Sequence, residues 1–279
     1  MNRYSRVKLM ALSAILLSGF FTATASVAAK WANPELLVTP ETVKKNIDKP
    51  DWAVVDCRDL KAYAKGHIPG AISLGKRCKK ALRDVTARVW RDTSKYEKLL
   101  GKVGIGNNTH VVFYYGDMKT LTDATVGFWI MEYLGHDKVH VLNGGLDAWR
   151  KAGYRLDNKA VKKPATSFKA KVVASRYGST DEILEVAQGK GGKQLIDSRT
   201  SKEHKGKDIR AIRGGYVPNT TINASHIGTL AKAKNPKTGK MEAIPYLDAD
   251  AATAAFGKLD KNKRTVAYCQ TGTRSTMTY

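Results

Sequence analysis

The chain has 279 residues, 42% hydrophobic and 26% charged, a balance that excludes a disordered chain and gives length enough for two domains. A formal net charge of +23 raises nucleic acid as a partner. However, the lysines are scattered over the whole length and no stretch interleaves them with aromatics, so the charge reads as a solvated surface that draws in small anions, with no nucleic-acid interface.

The N-terminus reads as an address. Arg3, Arg6 and Lys8 precede an apolar run from Leu9 to Phe21, the length of a signal-peptide core and too short to span a bilayer. Ala23-Thr24-Ala25 and Val27-Ala28-Ala29 both suit signal peptidase. A cut after Ala29 is expected, making 1–29 a signal peptide and leaving about +20 on the mature chain; an uncleaved anchor is the alternative. No cysteine lies near the cut, which excludes lipid attachment there, and no later segment is apolar enough to cross a membrane. The mature protein is therefore expected to be soluble and exported, to the periplasm in a bacterium, with no membrane partner.

Beyond residue 30 the chain repeats itself. Thr39-Pro40-Glu41 opens a helix with proline at its first position, and Ser179-Thr180-Asp181-Glu182 has the form of a capping box, preceded by Val172-Val173 in the place of a short strand. The apolar run Trp52 to Arg58 answers Lys193 to Arg199, each ending in Asp-x-Arg. Gly66-His67-Ile68-Pro69-Gly70-Ala71-Ile72 answers Gly215-Tyr216-Val217-Pro218-Asn219-Thr220-Thr221, and His110 to Tyr115 answers Arg264 to Cys269. The strands are short, apolar and not alternating, as in parallel sheets covered on both faces, and helical stretches such as Leu121 to Leu134 and Leu146 to Ala152 separate them. The fold class is α/β, two tandem doubly wound domains with central parallel sheets, whose ligands belong at the carboxyl ends of the strands. The expected boundaries are 36–156 for the first domain, 157–171 for a lysine-rich linker carrying Pro164, and 172–279 for the second. After Tyr115 the first copy continues through a helix, a strand (Val139-His140-Val141), the turn Asn143-Gly144-Gly145 and another helix, whereas only ten residues follow Cys269. The second copy is therefore expected to be C-terminally truncated.

Cys269 follows an apolar strand and leads into Gln270-Thr271-Gly272-Thr273-Arg274 and a helix. Backbone N–H groups and a helix start at that position favour a thiolate and hold an anion. Gly272 permits a tight turn, and Arg274 is expected to supply a fixed positive charge beside the sulfur. The pattern suits a thiolate that takes a sulfur atom from a donor, keeps it as a persulfide and passes it on in two steps; a buried structural cysteine is the plain alternative. No His/Cys cluster has zinc spacing, so no metal and no cofactor is expected.

Together, Asp-x-Arg, Gly-His-Ile-Pro-Gly-Ala, Asn143-Gly144-Gly145-Leu146-Asp147-Ala148-Trp149 and Cys269-x-x-Gly272-x-Arg274 resemble the rhodanese family, over nearly all of residues 36 to 279. The tandem form is similar to thiosulfate and 3-mercaptopyruvate sulfurtransferases. That resemblance implies a catalytic second domain with Cys269 as the persulfide-bearing nucleophile and Gln270, Thr271, Gly272, Thr273 and Arg274 as its substrate loop. It also implies an inactive first domain, in which Tyr115 takes the cysteine's place. The implied partners are a small anionic sulfur donor and a thiol or cyanide acceptor, with a protein acceptor as a further candidate. Phosphatases of similar architecture place their arginine six positions after the cysteine, one more than Arg274, and a shorter cradle suits sulfur better than phosphate. Gln270 and Thr271 are neutral where the thiosulfate enzymes carry cations, Arg274 stands where mercaptopyruvate enzymes have a small hydroxyl residue, and Glu203 stands where both tend to have an arginine.

Asp197 and Arg199 are expected to pair and support the site, as Asp56 and Arg58 do in the first copy. Arg210 and Arg213 lie in an insertion from which they could steer an anion, and His67 reads as a turn residue. Cys57 and Cys78 follow successive strands of one edge; a disulfide between them would leave Cys269 free in an oxidising compartment. Three functions fit the sequence: a sulfurtransferase, a sulfur or selenium carrier, and a non-catalytic interaction module.

Overall fold

The computed structural model describes residues 31–231 and 246–279; the expected signal peptide lies outside the described residues. The elements run in the order β1 (Leu37–Val38), α1 (Pro40–Asn46), β2 (Trp52–Asp56), α2 (Leu60–Lys65), β3 (Ile72–Ser73), α3 (Cys78–Ala81), α4 (Ser94–Lys102), β4 (His110–Tyr114), α5 (Leu121–Tyr133), β5 (Val139–Leu142), α6 (Gly145–Lys151), α7 (Thr180–Ala187), β6 (Gln194–Asp197), α8 (Ser201–His204), β7 (Ile222–Asn223), α9 (Ala249–Phe256) and β8 (Thr265–Tyr268).

The first sheet is fully parallel, in the order β1-β5-β4-β2-β3. Its strands lack polar alternation because both faces are covered. Ala53 and Val55 of β2 and Val111 and Phe113 of β4 face one core with Leu82, Leu100, Leu121 and Ile130, from the side of α3, α4 and α5. The intervening Trp52, Val54, Val112 and Tyr114 face the other, with Val43 of α1 and Leu146 and Trp149 of α6. Each fully buried side chain of this size contributes roughly 1.5–3 kcal/mol. At Gly127 of α5 a Cβ would sit 2.7 Å from the Phe113 ring, so glycine is what lets the helix approach the sheet this closely.

The helix starts follow their sequence signals. The Thr39 hydroxyl accepts the Thr42 N–H at the head of α1, where Pro40 takes the first helical position. Ser179 and Glu182 close a reciprocal capping box on α7.

The second sheet is parallel and three-stranded, in the order β7-β6-β8, matching the β3-β2-β4 portion of the first. Its buried cluster is small: Val186, Leu195 and Val266, with Ile183, Val217 and Tyr268 partly buried around them. Val172 and Val173 do not form the expected strand. In the first sheet the corresponding β1 pairs with β5, and among the described residues the second sheet has no strand in that place. The two valines are instead half-exposed, and the N–H groups of Lys171 and Val173 donate to the carbonyls of Leu134 and Tyr133 at the end of α5. The segment expected to be a linker is likewise packed on the first unit: Phe168 is buried in its core, Asn107 exchanges two hydrogen bonds with the Lys169 backbone, and Thr166 N–H donates to Gly101.

Cys57, at the end of β2, and Cys78, at the start of α3, form a disulfide. Denatured, unreduced protein should therefore titrate one free thiol per chain. Since the bond closes a loop of 21 residues, reduction should lower the unfolding free energy by about 3 kcal/mol, read from denaturant melts with and without reductant.

Candidate active site

A repeated clamp fixes the end of β6 and β8. Asp197 accepts the Arg199 backbone N–H at 3.0 Å and its guanidinium at 2.9 and 2.7 Å, while the same guanidinium donates to the Gly215 carbonyl at 2.7 Å and lies over the Tyr268 ring. The Tyr268 hydroxyl accepts the Val217 N–H. In the first unit Asp56, Arg58, the Gly66 carbonyl, Tyr114 and the Ile68 N–H make the same contacts. Asp197 and Arg199 thus pair as expected. They brace the chain at Gly215 and the ring before Cys269, and make no hydrogen bond to the loop after it. His204 adds a fourth contact to Asp197 at 3.0 Å and stacks on Tyr216.

Cys269 stands at the carboxyl end of β8, partly buried, and is the only cysteine of the three outside a disulfide. Burial pushes its thiol pKa up. Hydrogen bonds from the backbone N–H groups of Ser275, Thr271 and Arg274 and from the Ser275 hydroxyl outweigh that, so the net displacement is downward from 9.0. The loop curls back on its own sulfur because Gly272 takes φ +68°, which L side chains rarely adopt. The loop leads into a 3-10 turn, Arg274–Met277, and the individual N–H groups of Thr271, Arg274 and Ser275 stabilise the thiolate.

Arg274 departs furthest from expectation. Its guanidinium forks onto the Glu203 carboxylate with two bonds of 2.7 Å, and Glu203 is only 2% exposed. Glu203 is held there by its other role, as the third residue of α8, where it closes a capping box with Thr200. Arg274 therefore stands by the sulfur with its charge largely compensated. A further cation comes from the first unit. Arg83, 4% exposed, donates to the Thr271 carbonyl at 3.3 Å and to the Thr273 hydroxyl at 2.8 Å. Nothing in the local sequence around Arg83 signalled this contact, which arises only from the packing of the two units. The Gln270 amide donates to the Arg210 carbonyl, so the insertion touches the loop through its backbone; the Arg210 guanidinium pairs with Asp208 and lies 3.9 Å from the Glu203 carboxylate, and Arg213 is exposed and outside the cleft.

The cleft at Cys269 lies between the units, with a volume of about 450 Å³, and Arg83, Arg88, Trp129, Tyr177 and Arg264 join the loop in lining it. Arg264 is paired with Glu182 at 2.5 Å. A larger opening next to it, about 1220 Å³, shares Arg88, Tyr177 and Arg264 but does not reach the cysteine. Tyr115, at the position equivalent to Cys269, is buried in the first core. Among the described residues no group of three or more His, Cys, Asp or Glu is placed to hold a metal, and no helix is long and apolar enough to cross a membrane.

The Arg274 fork holds the Glu203 carboxyl down at about 2, against an ordinary 4.5. A depressed folded-state pKa contributes stability that is complete above 4.5 and is lost as pH falls toward 2. Glu203→Gln should therefore cost about 2 kcal/mol at pH 7 and flatten the acid limb of a denaturation series between pH 4.5 and 2, where wild type and variant converge.

Comparison with known proteins bears on the chemistry this geometry permits. Residues 39–152 match the model of the rhodanese-like domain. A protein of Saccharopolyspora erythraea named "Putative thiosulfate sulfurtransferase" is 32% identical over 258 residues, covering 88% of this chain and 85% of that protein. The sulfur carrier protein TtuD of Thermus thermophilus is 30% identical over 261 residues, covering 88% and 86%. The crystal structure of SseA, a 3-mercaptopyruvate sulfotransferase of Escherichia coli, has the same fold, with a TM-score of 0.71 over 87% of this chain and 91% of that one at 21% identity. A half-buried thiol ringed by N–H donors at the end of a parallel strand, in a chain this similar to sulfur-transferring relatives, leads to one conclusion: the protein belongs to the rhodanese family of sulfurtransferases.

Proposed function

We propose that the protein carries sulfane sulfur on Cys269, taking it from thiosulfate or a related anionic donor and passing it to cyanide or a thiol. The observation that supports this most directly is the place of Cys269, free and in the cleft at the carboxyl end of β8, where the N–H groups of Thr271, Arg274 and Ser275 hold its thiol pKa down. The thiolate attacks the outer sulfur of thiosulfate, the bond between the two donor sulfurs breaks, and sulfite leaves with its electron pair. The acceptor then attacks the terminal sulfur of the persulfide, restoring the thiolate and releasing thiocyanate or an acceptor persulfide. The donor groups that stabilise the thiolate also stabilise the persulfide anion. Gln270, Thr271, Gly272, Thr273 and Arg274 form the substrate loop, with Asp197 and Arg199 supporting the strand end behind it. The first unit, 36–156, is a duplicated copy that has lost its cysteine and serves as scaffold. The exported location rests on residues 1–29 and the oxidised Cys57–Cys78 pair.

A second reading is a carrier that hands its sulfur to a partner protein. The uncharged Gln270 and Thr271 and the compensated Arg274 favour it, since they leave little in the loop itself to capture a small dianion, and TtuD is named as a sulfur carrier. Saturation at modest thiosulfate concentration separates the two: an enzyme saturates, a carrier does not.

Incubation of the full chain with thiosulfate should add one sulfur, about 32 Da, to its intact mass. The gain should disappear on adding cyanide or a thiol and be absent in Cys269→Ser. A folded protein that gains nothing from thiosulfate, mercaptopyruvate or polysulfide would refute persulfide chemistry at Cys269.

A further inference from the structure

We propose that Arg83, a residue of the first unit, presents the positive charge that recruits an anionic sulfur donor to Cys269 and positions the loop around it. This rests on the Cys269 reading above and adds to it a residue from outside the catalytic unit. The loop's own arginine also stands by the sulfur, but both terminal nitrogens of Arg274 are engaged by the buried Glu203 carboxylate. Arg83 differs in its partners. Its hydrogen bonds go to the Lys79, Ala87 and Thr271 carbonyls and the Thr273 hydroxyl, all neutral acceptors. Among the described residues no carboxylate lies within ion-pair distance of it. It is a nearly buried cation that has gained hydrogen bonds but no ion pair: Asp123 and Asp84 act on it only from beyond ion-pair distance, and burial outweighs them. An anion arriving in the cleft, which Arg83 lines together with Cys269, would supply the missing charge.

The segment that carries Arg83 is rigid. The Cys57–Cys78 bond ties the start of α3 to the end of β2. Asp123 of α5, fully buried, accepts the Lys79 N–H and pairs with Arg77 and Lys79. Arg83 follows one turn later, and its Nε donates back to the Lys79 carbonyl. The guanidinium is therefore pre-positioned, so that little ordering remains to be done when a donor binds.

Alkylation of Cys269 by two reagents tests this. Iodoacetate and iodoacetamide form the same S–C bond and expel the same iodide, so the fraction of thiolate cancels in their rate ratio and the local charge does not. At low salt Arg83→Gln should lower the iodoacetate-to-iodoacetamide ratio about fivefold and raise the thiosulfate KM by a similar factor, with kcat changed far less. Arg83→Lys should restore most of the ratio, and Glu203→Gln, which releases Arg274, should raise it above wild type. A variant that merely loosens the loop moves both reagents alike and leaves the ratio unchanged. An unchanged ratio in Arg83→Gln, or a lysine that does not restore it, overturns the proposal. Sulfur transfer persisting in Cys269→Ser would instead overturn the Cys269 reading itself, so the two failures are told apart.

Discussion

The loop that follows β8 is fastened to the first unit as well as to its own. Among the described residues the second sheet has three strands and a small buried cluster of Val186, Leu195 and Val266, and several of the loop's anchors lie across the cleft. Met277, just past the loop, is buried in the large first core; the Thr276 hydroxyl bonds Thr125 of α5 at 2.7 Å; the Tyr279 hydroxyl bonds Glu132 at 2.6 Å; and Arg83 holds Thr271 and Thr273. The first unit is thereby integral to the cleft at Cys269. Loops that carry chemistry need a rigid support, and here much of that support belongs to the other half of the chain.

The local devices were legible in the sequence because each acts over a few residues. Thr39 before Pro40, the Ser179-x-x-Glu182 box and the two Asp-x-Arg sequences appear in the structure as caps and clamps. The apolar, non-alternating runs correctly announced strands covered on two faces. Val172-Val173 misled because a strand is defined by its neighbour as much as by its own residues: β1 is a strand by virtue of β5, and the valines have no such partner among the described residues.

The site was legible only in part, for the same reason. Position and spacing singled out Cys269, which the structure places free in the cleft, and Gly272 was read correctly as the turning point. The charge at the sulfur was not legible, because it depends on pairings between distant residues. Glu203 could have been traced: Thr200-x-x-Glu203 is a capping-box sequence, and a box fixes where its carboxylate sits, next to the loop at β8. Arg83 could not. It lies 190 residues from Thr273 in sequence, and nothing nearby marks it.

The overall charge makes this arrangement intelligible. A net +23 raises the concentration of every small anion near the surface, but screening confines each surface charge to about 8–10 Å at physiological salt. A general attraction of that kind does not choose between chloride, phosphate and a sulfur donor. Discrimination has to be local, at a partly desolvated point where one charge counts for more. An arginine bonded to Glu203 serves poorly there, because its terminal nitrogens are taken up in keeping the loop folded around the thiolate. Dividing the two tasks resolves the conflict, with Arg274 and Glu203 shaping the loop and the cation that faces the donor carried by the rigid neighbouring unit.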